Sequence, residues 1–178
     1  MSYDWSGSID VLLKQRSGIR LDLGCGNHKE PGFVGLDSRP LLDVDIVWDV
    51  ENMPWPLPDE SCVILKASHL VEHIDPHGGG FLRFMDEAWR VLQLGGQFAI
   101  SCPHGASPGY LQDPTHCNAL NEATWSYFTP DHALWSIYAP RPWAIEHLSW
   151  SAAANMEVVL RKIIEPDVEA IDEGEAVE

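Results

Sequence analysis

Residues 21–37 read LDLGCGNHKEPGFVGLD. An apolar run enters Gly24-Cys25-Gly26, and eleven residues after Gly26 a second apolar run ends at Asp37. A third run, DVDIVWDV, closes on Asp49 and Val50. In an open α/β sheet, ligands bind outside the carboxyl ends of the strands, so these groups belong to one candidate site. The glycines let a ligand approach the backbone closely. The Asp37 carboxylate can accept from both hydroxyls of a ribose, and Asp49, one strand further out, can meet an adenine amino group.

Two phosphate-binding readings fail. A dinucleotide fingerprint needs GxGxxG, but Lys29 stands at its third glycine position. Its acid should follow about 20 residues on, and Asp37 comes too soon. No GK[ST] follows the turn, which removes the P-loop. An adenosine carrying an amino-acid tail, with no phosphate to cradle, fits the arrangement. That ligand is S-adenosylmethionine, whose sulfonium charge also suits an acidic site.

A second group lies in residues 113–118, DPTHCN. An oxygen or nitrogen acceptor loses a proton during methyl transfer, and a histidine near neutral pKa takes it. His116 is the expected base, oriented by Asp113, with simple packing of the surrounding segment as the competing reading. His69 and His73 stand four residues apart, while Cys102, His104, His116 and Cys117 match no standard zinc spacing. No metal is expected.

These groups need strands to hold them. Runs at 19–23, 33–37, 43–50, 62–68 and 97–101 read as five parallel strands alternating with helical or loop crossovers. The first alternates poorly, as expected of a strand buried on both faces. Phe81, Met85, Ala88 and Leu92 share a face, which predicts a helix over 81–94 stopped by Gly95-Gly96. Only residues 24–32 connect the first strand to the second, short of the dozen or so a parallel crossover takes. The first crossover helix is therefore expected to shrink to one turn. Residues 142–150 and 156–164 read as an antiparallel edge hairpin, and residues 8–14 as a short amphipathic helix.

Residues 102–142, rich in aromatics, His and Pro, read as a lid or substrate insertion with one short helix capped by Asn121. Its aromatics, among them Tyr110, Trp125, Tyr127, Phe128, Trp135 and Tyr138, are candidates to line an acceptor pocket.

The totals narrow the class. The 178 residues suit one domain, 1–164, followed by an acidic tail, 165–178, with seven acids, no base and an expectation of disorder. A hydrophobic share of 45% and eight Trp exclude a disordered chain. No apolar run reaches the roughly 20 residues of a membrane span, and no signal pattern opens the chain. A cytoplasmic location is expected, with the four cysteines as reduced thiols. With net charge −16 and no clustered Lys or Arg, duplex nucleic acid is disfavoured as a partner. The oligomeric state is left open.

Taken together, LDLGCG (21–26), VGLD (34–37), WDVENMPWP (48–56), SHLVEHI (68–74) and EAWRVLQLGGQFAIS (87–101) resemble, in order, the motifs of class I S-adenosylmethionine-dependent methyltransferases of the methyltransferase-11-like branch. The resemblance implies a Rossmann-like α/β fold: a mostly parallel sheet, a C-terminal antiparallel edge hairpin and, here, a shortened first crossover helix. It implies that Asp22, Leu23, Gly24, Cys25 and Gly26 lie along the methionine moiety. It also puts Asp37 and the adjacent Ser38 at the ribose, Asp49 and the Val50 backbone at the adenine, and Ser68 and His69 at the methionine end or the acceptor. The expected activity is methyl transfer to an oxygen or nitrogen of a small or medium acceptor, leaving S-adenosylhomocysteine. No NPPY-like tetrad follows the fourth strand, which disfavours methylation of DNA bases. The rival readings are an S-adenosylmethionine-binding regulatory subunit without chemistry and another nucleotide-binding Rossmann-like enzyme.

Overall fold

A computed structural model describes residues 18–151 and 154–164. The expected helix at 8–14, part of the linker between the last two strands, and the acidic tail lie outside the described residues.

Seven strands form one sheet in the order β3-β2-β1-β4-β5-β7-β6. They are β1 (Ile19–Leu23), β2 (Val34–Asp37), β3 (Ile46–Val47), β4 (Cys62–Ser68), β5 (Leu92–Pro103), β6 (Trp143–Trp150) and β7 (Asn155–Lys162). β1 to β5 pair in parallel, and β7 runs antiparallel to both β5 and β6. The expected parallel sheet with a C-terminal hairpin is present, with β6 at the edge. Helix α1 (Gly80–Val91) packs Phe81, Phe84, Met85, Ala88 and Val91 into the core. The Phe84 ring lies 6.2 Å from that of Phe98 on β5. Three short helices, α2 (Pro108–Leu111), α3 (Glu122–Ser126) and α4 (Trp135–Tyr138), occupy the segment between β5 and β6. Asn121 caps α3 as expected, accepting from the Ala123 and Thr124 amides, while α2 and α4 carry too little periodic pattern to be read in advance. Among the described residues no helix is long and apolar enough to cross a membrane.

Four local readings need correction. The crossover from β1 to β2 contains no helix; two turns close it, with His28 N donating to Cys25 O (3.1 Å) and Phe33 N to Glu30 O (3.0 Å). Residues 24–32 are too few to leave the sheet, form a helix and return. β3 covers only Ile46–Val47, so Asp49 stands two residues beyond the strand. There its Oδ1 accepts from Glu51 N at 3.0 Å, the local turn that Asp favours over an extended ladder. The helix stops at Val91, and Leu92 enters β5 opposite Cys62. Leu92 is buried either way, so its helical spacing did not decide its element. Gly95, at φ 77°, absorbs the extra residues before Gln97 pairs with Ile64. Finally, β1 is not buried on both faces throughout, because Arg20 is exposed.

One buried carboxylate fastens α1 to the loop that follows β3. Glu87 accepts from Arg90 Nε (2.8 Å) and Nη2 (2.6 Å), and also from the backbone amide of Trp55. Trp55 in turn is buried and meets Phe84 edge-on at 5.7 Å. Without Glu87 the buried Trp55 amide loses its acceptor, while Arg90 keeps Asp59 at 2.6 Å, so the cost is about 2 kcal/mol. Glu87→Ala should therefore lower the melting temperature by roughly 4–8 °C for a chain of this size. A shift under about 2 °C in thermal denaturation would show that the pair does not hold the loop.

Candidate functional site

At the carboxyl ends of β1, β2 and β4 lies a cavity of about 310 Å³. Gly24, Asp37, Ser38, Asp49, Val50 and His69 all line it. Gly24 adopts φ 65°, a left-handed conformation that glycine takes without strain, and a Cβ there would press on Leu70 Cδ1 at 2.9 Å. Gly24 N and Cys25 N both donate to Leu36 O, at 2.8 and 3.3 Å, which locks the turn onto the end of β2.

Asp37 is only 6% exposed. Its Oδ2 accepts from Gly26 N at 3.0 Å, and its Oδ1 from Arg39 N at 2.9 Å and Arg39 Nε at 3.3 Å. Burial pushes its carboxyl pKa up, but the bonds from the Arg39 amide, the Arg39 side chain and the Gly26 amide outweigh it and hold the pKa below the ordinary value. Of about four acceptor positions on a carboxylate, three are thus taken. The third is held only by the exposed Arg39 side chain.

The remaining sequence candidates sit around the cavity rather than in its wall. Leu23 is core. Asp22 is buried, with Oδ2 accepting from Glu30 N (2.8 Å) and lying 3.7 Å from Lys66 Nζ, so it anchors the crossover. Cys25 is buried behind the turn; burial, with the Asp22 and Asp37 charges, pushes its thiol pKa up to about 11, far from a reactive thiolate. Ser68 is exposed in a groove on the sheet, beside Ser101 and Glu157. His69 has φ 52°, a left-handed conformation unusual for a side-chain-bearing residue, held by its amide bond to Ser101 O (2.8 Å).

Sequence reading missed Trp48, Leu70 and His73 in the cavity wall. It also missed Glu72, whose side chain is fully buried. Glu72 stands where the 113–118 segment docks: Cys117 N and Asn118 N each donate to Glu72 O at 3.0 Å. There His116 Nε2 lies 4.0 Å from Glu72 Oε1 and 3.8 Å from Asp113 Oδ2. Its Nδ1 is 2.8 Å from Tyr110 O. Asp113 accepts from the Thr115 hydroxyl (2.7 Å) and amide (2.8 Å), which lower its pKa. His116 and Asp113 are therefore together, in a group that also holds Glu72 and His73. The four-residue spacing of His69 and His73 gave no sign of this, because the partner of His73 is 43 residues further along the chain.

Among the insertion's aromatics, Tyr127, Phe128 and Tyr138 line a separate apolar cavity of about 410 Å³ beside α1. Trp125 is core, and Tyr110 faces His116 with ring centroids 5.2 Å apart. A larger cavity, about 590 Å³, lies at the opposite end of the strands. Within its charged lining Arg90 pairs with Asp59 and Lys162 with Glu60.

No family model and no curated protein matches this sequence. Solved structures do. An S-adenosylmethionine-dependent methyltransferase from Archaeoglobus fulgidus is 17% identical, over 89% of this chain and 96% of that one, with TM-score 0.61. One from Mesorhizobium loti is 16% identical, over 89% and 97%, with TM-score 0.54. The antibiotic-resistance methyltransferase Kmr is 14% identical, over 92% and 96%, with TM-score 0.58. This chain has the Rossmann-like fold of the class I methyltransferases.

Proposed function

We propose that this protein is an S-adenosylmethionine-dependent methyltransferase acting on an oxygen or nitrogen of a small or medium acceptor. The observation that carries the reading is the cavity at the strand ends, where a glycine turn and two carboxylates, Asp37 and Asp49, meet in a methyltransferase fold. In this reading Asp37 and Ser38 take the ribose, and Asp49 with the Val50 backbone takes the adenine. Gly24 and Gly26 run along the methionine, with Asp22, Leu23 and Cys25 supporting the turn from behind. His69 faces the methionine end, and Ser68 contributes from the strand end. Residues 1–164 act as one catalytic domain, and residues 102–142 cover the acceptor. Methyl transfer is an in-line displacement in which positioning supplies most of the rate. The acceptor's proton is handled at His116 and Asp113.

Isothermal titration with S-adenosylhomocysteine tests the cofactor site. Hydrogen bonds to a charged group contribute roughly 1.5–3 kcal/mol each. Asp37→Ala should therefore weaken binding by on the order of 10²-fold, and Asp37→Asn by less. Because Asp37 also satisfies the Gly26 and Arg39 amides, the alanine variant should melt several degrees lower as well. Wild type that binds neither S-adenosylmethionine nor S-adenosylhomocysteine at millimolar concentration would end the reading.

Arg39→Ala separates the competing partner from the site. An ion pair with one exposed member contributes about 0–1 kcal/mol, so its loss should leave cofactor affinity equal or up to about fivefold tighter. A large loss would mean that Arg39, and not the freed carboxylate, contacts the ligand.

At the acceptor end, His116→Ala should lower turnover by about 10²-fold or more with cofactor affinity intact. The readout is S-adenosylhomocysteine released with hydroxyl and amine acceptors. Unchanged turnover would remove His116 from the chemistry, and turnover absent in wild type with every acceptor would favour a binding-only protein.

A further inference from the structure

Glu72 is fully buried, and neither of its carboxylate oxygens has a hydrogen-bond partner. Buried carboxylates are normally paired, hydrogen-bonded, protonated or bound to a metal. The nearest nitrogen, His69 Nδ1, lies 3.3 Å from Oε1 but lacks the alignment of a hydrogen bond. His116 Nε2, at 4.0 Å, is too far for one.

What surrounds the carboxylate is a ligand set. Glu72, His73 and His116 each offer one ligand atom, and the three lie within 4.8 Å of one another. Both imidazoles have their protons assigned by neighbours. His116 Nδ1 faces the Tyr110 carbonyl, which only accepts, so Nε2 carries the lone pair. His73 Nδ1 lies 3.1 Å from Thr115 Oγ1, whose single hydrogen goes to Asp113 Oδ1 at 2.7 Å. Thr115 therefore accepts from His73, leaving that ring one unprotonated nitrogen as well. Such outer partners are what orient metal-binding histidines.

We propose that Glu72, His73 and His116 bind a divalent first-row transition ion such as zinc, at the edge of the cofactor cavity. Two imidazoles and one carboxylate suit zinc, manganese or cobalt, whereas magnesium and calcium take oxygen ligands. Bonds of about 2.0–2.2 Å require the three ligand atoms to draw together by about an ångström. Three protein ligands leave a position open, the pattern of catalytic rather than structural zinc.

His73 belongs both to this group and to the wall of the cofactor cavity. The open position thus suits an acceptor hydroxyl, whose pKa the ion lowers. This step rests on the methyltransferase reading above. The hydroxyl gives its proton to solvent, its oxygen bonds the methyl carbon, and the carbon–sulfur pair leaves with sulfur as a neutral thioether. With the ion bound, His116 acts as a ligand in place of the base proposed above, and Thr115, held by Asp113, positions His73.

The test uses the full chain stripped with a chelator and titrated with zinc or magnesium chloride. Zinc should bind one per chain at micromolar or tighter affinity and raise the melting temperature, and magnesium should do neither. Glu72→Gln and His116→Ala should each weaken zinc binding by about 10²-fold or more, while S-adenosylhomocysteine affinity stays within about threefold. Without metal, Glu72→Gln should melt no lower than wild type, because no hydrogen bond to the carboxylate is lost. Wild type that binds no zinc at about 100 µM, or Glu72→Gln that binds it equally well, overturns the site. Methylation of hydroxyl acceptors that persists undiminished in the stripped protein overturns its catalytic role. Zinc binding without S-adenosylhomocysteine binding would instead remove the methyltransferase reading and leave the metal site standing.

Discussion

The parallel pairing of β1 with both β2 and β4 is the constraint on which the rest of the molecule depends. It brings Leu23 level with Leu36 on one side and with Ala67 on the other. The three chain exits therefore emerge together: the glycine turn, the Asp37 end and the His69 end. The Leu36 carbonyl then takes two turn amides, and the Asp37 carboxylate a third. A one-residue slip would reverse which side chains face the core and scatter these groups. Losing the first crossover helix does not disturb this register, because backbone bonds and the Asp22–Glu30 contact hold the short connection instead.

Four buried carboxylates show how differently one fold treats the same group. Asp22 is satisfied by a backbone amide, Asp37 by two amides and a guanidinium, and Glu87 by Arg90 and an amide. Each binds two pieces of chain together, and each is costly to remove for that reason. Glu72 is equally buried, yet its oxygens have no partner while its backbone carbonyl fastens the 113–118 segment. Its burial is thus not explained by holding the fold, which makes it a candidate for function.

The segment between β5 and β6 is less a detached flap than part of the core. Leu120, Trp125 and Phe128 are buried, and Phe81 of α1 meets Trp125 and Phe128 edge-on. Asn118 Nδ2 donates to Val71 O at 3.0 Å, linking the segment to the 3₁₀ turn at Val71–His73. Anchored at both places, it can present His116 at a fixed position beside the cofactor cavity.

The sequence by itself determined the strands whose apolar runs are long enough to be buried, β1, β2, β4, β5 and the terminal hairpin, because burial patterns are local. It also located the glycine turn and its two acids, since Gly and Asp mark the places where strands give way to turns. It could not bound β3 or the end of α1, where turn preferences and a residue buried in either element compete. What only the tertiary structure decided was the company each polar group keeps. Asp22, read toward a ligand, ties down the crossover, and His73 meets His116 across 43 residues of chain. Burial can be read from nearest neighbours in sequence, but a hydrogen bond or a shared ion depends on the distance between atoms, and distance is fixed only when the sheet has closed.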